Sequence, residues 1–150
     1  MKALLQRVDF AEVKVIGDTV GEIEKGLCVF LGVFEDDTDL DIAWLSDKVC
    51  NLRIFDDDAG VMNRSLLDTG GEILIVSQFT LCADCKKGRR PSWHMAAKPE
   101  FAKEMYERFT EAVQRLGVKT QNGIFQAEMK VTLCNDGPVT IMLDTKERCR

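Results

Sequence analysis

The chain has 150 residues, 45% of them apolar and 30% charged, with a net charge of −5. This is the composition of one ordinary globular domain, 1–150, long enough to bury a substantial core. It argues against a protein that coats nucleic acid indiscriminately, while leaving room for a local basic site. No apolar run reaches the ~18 residues of a membrane span, and no signal-peptide core opens the chain, so a cytoplasmic setting is expected.

Lys2 to Arg7 reads as a first strand. Glu12 to Ile16 and Thr19 to Ile23 read as two more around a Gly17-Asp18 turn, and Leu27 to Val33 as a buried one. After the acidic turn Glu35-Asp36-Asp37, Thr38 or Asp39 can cap a helix from Leu40 to about Leu52. Its apolar positions Ile42, Leu45, Val49 and Leu52 recur at three and four and form one face. Arg53-Ile54-Phe55 reads as extended. Asp56 to Gly60 is an acidic turn, because the glycine and Leu67 stand wrongly for a calcium loop.

Ile73-Leu74-Ile75-Val76 is an unbroken apolar run, the mark of a strand buried on both faces. Three hydrogen-bonding side chains follow, Ser77, Gln78 and Thr80, interleaved with Phe79. Such a strand end either satisfies itself or meets a ligand. From Cys82 to Lys98 the sequence lacks periodicity, and loops of this length are usually functional or mobile. The loop holds Lys86, Lys87, Arg89 and Arg90 around Gly88, followed by Pro91-Ser92-Trp93. A second helix begins at Pro99, buries Phe101, Met105, Phe109, Ala112, Val113 and Leu116, and stops at Gly117. Ile124-Phe125, Glu128 to Leu133 and Val139 to Leu143 read as strands, the last two joined by Asn135-Asp136-Gly137-Pro138. The fold class is therefore α/β: a mixed, largely antiparallel sheet with two main helices packed on it.

Little of the usual catalytic equipment is present. His94 is the chain's one histidine and lies in the basic loop, where an exposed loop side chain is the plain reading against a base role. Cys82-Ala83-Asp84-Cys85 has C-x-x-C spacing, a metal or redox signal only with further ligands or a helix start beside it. The other four cysteines, Cys28, Cys50, Cys134 and Cys149, are scattered, and most of the six look like small buried hydrophobes. No glycine-rich phosphate loop follows a strand. The basic cluster reads either as a solvated loop or as a phosphate-backbone contact.

Three segments together resemble the D-aminoacyl-tRNA deacylases. They are Ser77-Gln78-Phe79-Thr80-Leu81 with Ala83-Asp84, then Lys87 to Ser92, then Asn135 to Thr140. The likeness runs from Gln6-Arg7-Val8 through Asn51 to Phe55 and Met62-Asn63 to about Asp144. It departs at Cys82, Cys85 and Trp93-His94, which touch only loop detail.

The resemblance implies a homodimer with a barrel-like core that hydrolyses the ester joining a D-amino acid to the terminal ribose of tRNA, and removes glycine misloaded on tRNA for alanine. It implies that Ser77, Gln78, Phe79 and Thr80 line the pocket, and that Gly137-Pro138, with a cis bond, reaches into the partner's pocket and excludes L side chains. Arg7 would brace that dipeptide, with Met129 and Ala102 close to the pocket, while Lys86, Lys87, Arg89 and Arg90 are candidates for tRNA contact. No cofactor, metal, membrane or DNA partner is implied. Two mechanisms stay open. Thr80 is the nucleophile, or the ribose 2′-hydroxyl activates water while N–H groups near Phe79 and Thr80 hold the oxyanion. The rivals are a non-enzymatic RNA-binding module and a metal or redox protein built on Cys82 and Cys85. The tail 146–150 is expected to fray.

Overall fold

The computed structural model describes residues 1–148. In chain order it has β1 (Lys2–Val15), β2 (Asp18–Ile23), β3 (Gly26–Gly32), α1 (Asp39–Asn51), β4 (Phe55–Asp56) and β5 (Met62–Arg64). There follow α2 (Leu66–Thr69), β6 (Glu72–Ser77), α3 (Pro99–Arg115), β7 (Lys119–Asn122) and β8 (Lys130–Asp144). Short 3-10 turns occupy Phe79–Cys82 and Thr145–Glu147.

β1 organises the six-stranded sheet. One edge pairs antiparallel with β3 over residues 2–8 and with β2 over residues 11–15. The other edge carries β8, also antiparallel. Beyond β3 the pairing becomes parallel, first to β6 and then to β7. The sheet is thus mixed and largely antiparallel, as the sequence predicts. The two strands expected at 2–7 and 12–16 are one, because register shifts around Val8 change which face successive residues meet. Ala3 and Leu5 face the helices, whereas Val8, Ala11 and Val13 face the sheet's inner side. The first hairpin turns on Ile16 and Gly17, both at positive φ (51° and 89°), rather than on Gly17-Asp18.

Period-two alternation then builds two cores from the same strands. Leu27, Val29, Leu31, Ile73 and Ile75 meet the helices, while Cys28, Leu74 and Val76 point inward. α1 is capped reciprocally by Thr38 and Asp41, with Thr38 N–H donating to the carboxylate at 2.8 Å. It buries Ile42, Leu45, Val49 and Cys50. α3 has Pro99 in its first turn and buries Met105, Phe109 and Val113. Gly117, at φ 93°, follows its end. Two close approaches need glycine. A Cβ on Gly26 would stand 1.8 Å from the Glu72 carbonyl oxygen, where β3 and β6 meet. One on Gly21 would stand 2.7 Å from the Asn122 oxygen, where β2 folds back and nearly closes the curved sheet.

Two further expectations are corrected, and one element is added. The strand predicted at Ile124-Phe125 lies instead at Lys119–Asn122, whose polar side chains conceal a parallel edge strand. A short helix, α2, capped by Ser65, precedes β6 and has no periodic signal in the sequence. The Gly137-Pro138 hairpin is a bulge inside one long strand, since Gln6 faces Thr140 and Val8 faces Asn135. Asp144 caps the turn Thr145–Glu147 by accepting from Lys146 N–H at 2.9 Å, and Arg148 pairs with Asp41 at 3.3 Å. Residues 149–150, with Cys149, lie outside the described residues.

Candidate active site

The central strand β6 runs through the core as Ile73 to Val76 and surfaces at Ser77. Gln78 N–H continues the ladder to the Leu31 oxygen at 2.8 Å. The chain then coils into the turn Phe79–Cys82, which packs onto Gly32, where a Cβ would meet Cys82 Sγ and Leu81 Cβ at 3.1 Å. Such a turn leaves its first N–H groups without internal acceptors. Among the hydrogen bonds of the described residues, neither Phe79 N–H nor Thr80 N–H has one. The Thr80 hydroxyl accepts from the Gln78 side-chain amide.

Beside this turn opens a cleft of about 600 Å³. Ser77 and Gln78 supply polar groups at its rim with Phe79 beside them, Thr80 is not in the lining, and Val76, Ala102, Tyr106, Phe125 and Met129 are among its walls. The cleft is large enough for a nucleoside carrying a small acyl group. Its lining includes no carboxylate, histidine or lysine. The phenol of Tyr106 donates to the Ile75 oxygen at 2.8 Å and accepts from Asn122 at 2.8 Å, and burial raises its pKa. It is a fixed wall group. Sequence reasoning missed it, although Ala102, Tyr106 and Thr110 are spaced by four and share a helix face.

Gly137, Pro138 and Arg7 are not in that lining. They form a second structure on the β1–β8 side. Arg7 is 6% exposed. Its Nη1 donates to the Ile54 oxygen at 2.7 Å, and its Nε lies 2.8 Å from Asp136 Oδ2. No hydrogen bond aligns along that second line, so the attraction is Coulombic. Asn135 donates to both the Arg7 and Val139 oxygens, at 2.9 and 3.1 Å. The Gly137-Pro138 bond is cis. Among the described residues, nothing lies within 4 Å of where a Gly137 Cβ would point.

The third group is the basic loop. Asp84 and Ser92 exchange backbone bonds at 2.7 and 3.0 Å, which closes the loop around Lys86, Lys87, Arg89 and Arg90. All four are exposed, and among the described residues none is ion-paired. His94 Nδ1 sits 3.1 Å from Ser92 Oγ, exposed to solvent and with no carboxylate partner. The C-x-x-C pair divides. Cys82 is buried, its thiol pushed up to about 11 by burial and directed at the Val33 oxygen, whereas Cys85 is exposed. A protonated buried thiol is the reverse of a redox thiol. No cluster of three or more His, Cys, Asp or Glu among the described residues is placed to hold a metal ion.

The sequence pattern of the D-Tyr-tRNA(Tyr) deacylase family matches residues 4–144. The chain is 56% identical to the D-aminoacyl-tRNA deacylase of Desulfotalea psychrophila, over 98% of this chain and 99% of that one. It is also 56% identical to that of Thermosipho africanus, over the same shares. Among solved structures it is similar to the c-Myc DNA unwinding element binding protein (TM-score 0.91, 40% identity, 97% of this chain and 99% of the other). A probable eukaryotic D-amino acid tRNA deacylase shares the fold at TM-score 0.83 and 20% identity, over 95% and 97% of the two chains.

Proposed function

The chain belongs to the D-Tyr-tRNA(Tyr) deacylase family and deacylates D-aminoacyl-tRNA, and from that premise we propose how its cleft does so. The terminal adenosine and its aminoacyl group occupy the cleft between Ser77–Phe79 and the wall of Ala102 and Met129. The reaction is ester hydrolysis. Water attacks the ester carbonyl, the C–O bond to the ribose breaks, and the ribose oxygen leaves with a proton. The observation that carries the scheme is the lack of any carboxylate, histidine or lysine in the lining, beside two N–H groups without acceptors. The base is therefore the substrate's own 2′-hydroxyl, and the N–H groups of Phe79 and Thr80 hold the oxyanion. One such donor is worth about 2.7–4 kcal/mol. Thr80 orients through Gln78 and is not the nucleophile.

Discrimination of D from L comes from Gly137-Pro138 of a second copy entering the cleft in a homodimer. Two features support this reading: a bulge with an empty tip, and β8, a long strand paired on one edge to β1 alone. Main-chain atoms held by Arg7 and Asn135 do not rotate aside as a side chain would. Glycine, having no side chain, passes the same sieve, so glycyl-tRNA for alanine is also a substrate. The working compartment is the cytoplasm, tRNA is the nucleic-acid partner, and DNA is not. The test is hydrolysis of D- and L-tyrosyl-tRNA. Cleavage of the D form alone is expected, and a substrate ending in 2′-deoxyadenosine should resist. Cleavage of neither enantiomer would leave only an RNA-binding module, and equal cleavage of both would remove the sieve.

A further inference from the structure

Two exposed aromatic rings stand where the cleft meets the basic loop. Phe79, on the cleft rim, is 58% exposed, and Trp93, just past the loop, is 39% exposed. Their centroids are 5.7 Å apart with the planes at 62°. An edge-to-face contact covers at most one face of one ring and leaves the remaining surface to solvent. Trp93 is nonetheless held from both sides. Ser92 is fixed by its paired bonds to Asp84, and the Trp93 oxygen accepts from Ala96 N–H at 3.0 Å. The four loop cations lie between Asp84 and Ser92, against the chain's overall charge of −5.

If the terminal adenosine fills the cleft, the strand that leads into it can leave past exposed Phe79 toward the basic loop. The next nucleotide along brings one phosphate and one unpaired base to this spot. Single-stranded nucleic acid is bound by aromatic faces for its bases and cations for its phosphates. We infer that Trp93, supported edgewise by Phe79, is the stacking platform for the base of the nucleotide that precedes the terminal adenosine, with the adjoining loop cations taking its phosphates. This rests on the reading of the cleft given above. Positive charge, flat aromatic surface and continuity with the cleft together select single-stranded RNA as the occupant.

The test compares D-tyrosyl-tRNA with D-tyrosyl-adenosine, which has the terminal nucleoside but no preceding base. Trp93→Ala is expected to raise KM for the tRNA about 5- to 150-fold, the range for losing one stacked base. It should leave kcat, and both constants for D-tyrosyl-adenosine, within about twofold, and Trp93→Phe should recover most of the loss. Equal losses on both substrates would mean that Trp93 merely shapes the cleft, and no loss on tRNA would mean that nothing stacks there; either overturns the inference. A binding measurement stands apart from catalysis. In a Trp44→Phe background the trinucleotide CCA should quench Trp93 fluorescence more strongly than AMP at equal occupancy, and equal quenching would also overturn it. Failure of the wild-type protein to cleave D-tyrosyl-tRNA while this quenching persists would count against the hydrolytic reading alone.

Discussion

The cleft and the bulge are built in opposite ways. The cleft is a hollow beside a turn whose N–H groups at Phe79 and Thr80 have no acceptor among the described residues. The bulge is a projection tied down from behind by a buried arginine and a doubly bonded asparagine, with an empty tip. A loop with no target needs no such bracing, because burying a guanidinium is costly unless its bonds are used. One region is a mould without a cast and the other a rigid insert without a socket. The difference is what the proposed pairing of two copies would require, each chain's bulge completing the other's hollow.

The sharpest way to break that contrast is to loosen the insert. Arg7→Met keeps the side chain's bulk and removes its charge and donors. It should cost about 1–3 kcal/mol of stability, as the Ile54 carbonyl loses its donor, and lower turnover about 100-fold through misplacement of the bulge. Paired urea melts and deacylation rates would read both effects. A loss of stability with full activity would separate the bulge from catalysis.

Next comes the scaffold that carries both regions. Burial alone would raise the Asp41 carboxyl, but bonds from Thr145 and Thr38 hold it down to about 2 against an ordinary 3.8. A depressed folded-state pKa gives stability that is present above the unfolded value and lost as pH falls through the folded one. Roughly 2 kcal/mol should therefore disappear between about pH 4 and pH 2. Urea titrations across that range would show it, and Asp41→Asn should flatten the dependence.

A smaller change separates insert from fold. A methyl on Gly137 meets nothing within 4 Å among the described residues, so Gly137→Ala should leave the melting midpoint unmoved, within about 0.5 kcal/mol. On the proposed pairing, where the added carbon would intrude on a second copy's cleft, turnover of D-tyrosyl-tRNA should still fall about tenfold. The smallest effect belongs to the hollow. Thr80→Ala removes one hydrogen bond to Gln78 and should slow hydrolysis about fivefold, roughly 1 kcal/mol. Mass spectrometry of quenched reactions should find no acyl-enzyme.

How much of this was legible in the sequence follows from which forces were local. The stripes of α1 and α3 and the cap at Thr38 depend on spacing within one segment, and they could be read directly. The run Ile73 to Val76 announced its own burial. What escaped was decided between segments. Lys119 to Asn122 is polar and becomes a strand because β6 offers it an edge. Asn135 to Pro138 has the composition of a hairpin turn, yet β1 pairs with both flanks and makes it a bulge. Tyr106 joins the cleft only because α3 lies across β6 and Asn122 holds its hydroxyl. Ser77, Gln78 and Phe79 could be named from the resemblance, but their arrangement around a hollow without carboxylate, histidine or lysine needed three dimensions.

The empty tip at Gly137 has a genetic consequence. If each insert serves the other copy's hollow, a chain damaged at residue 137 still owns a sound hollow, and a chain damaged in the Phe79–Thr80 turn still owns a sound insert. Mixed and allowed to exchange, two nearly inert proteins would yield hybrid pairs with one whole site each. About a quarter of the wild-type rate should reappear from parts that have almost none apart.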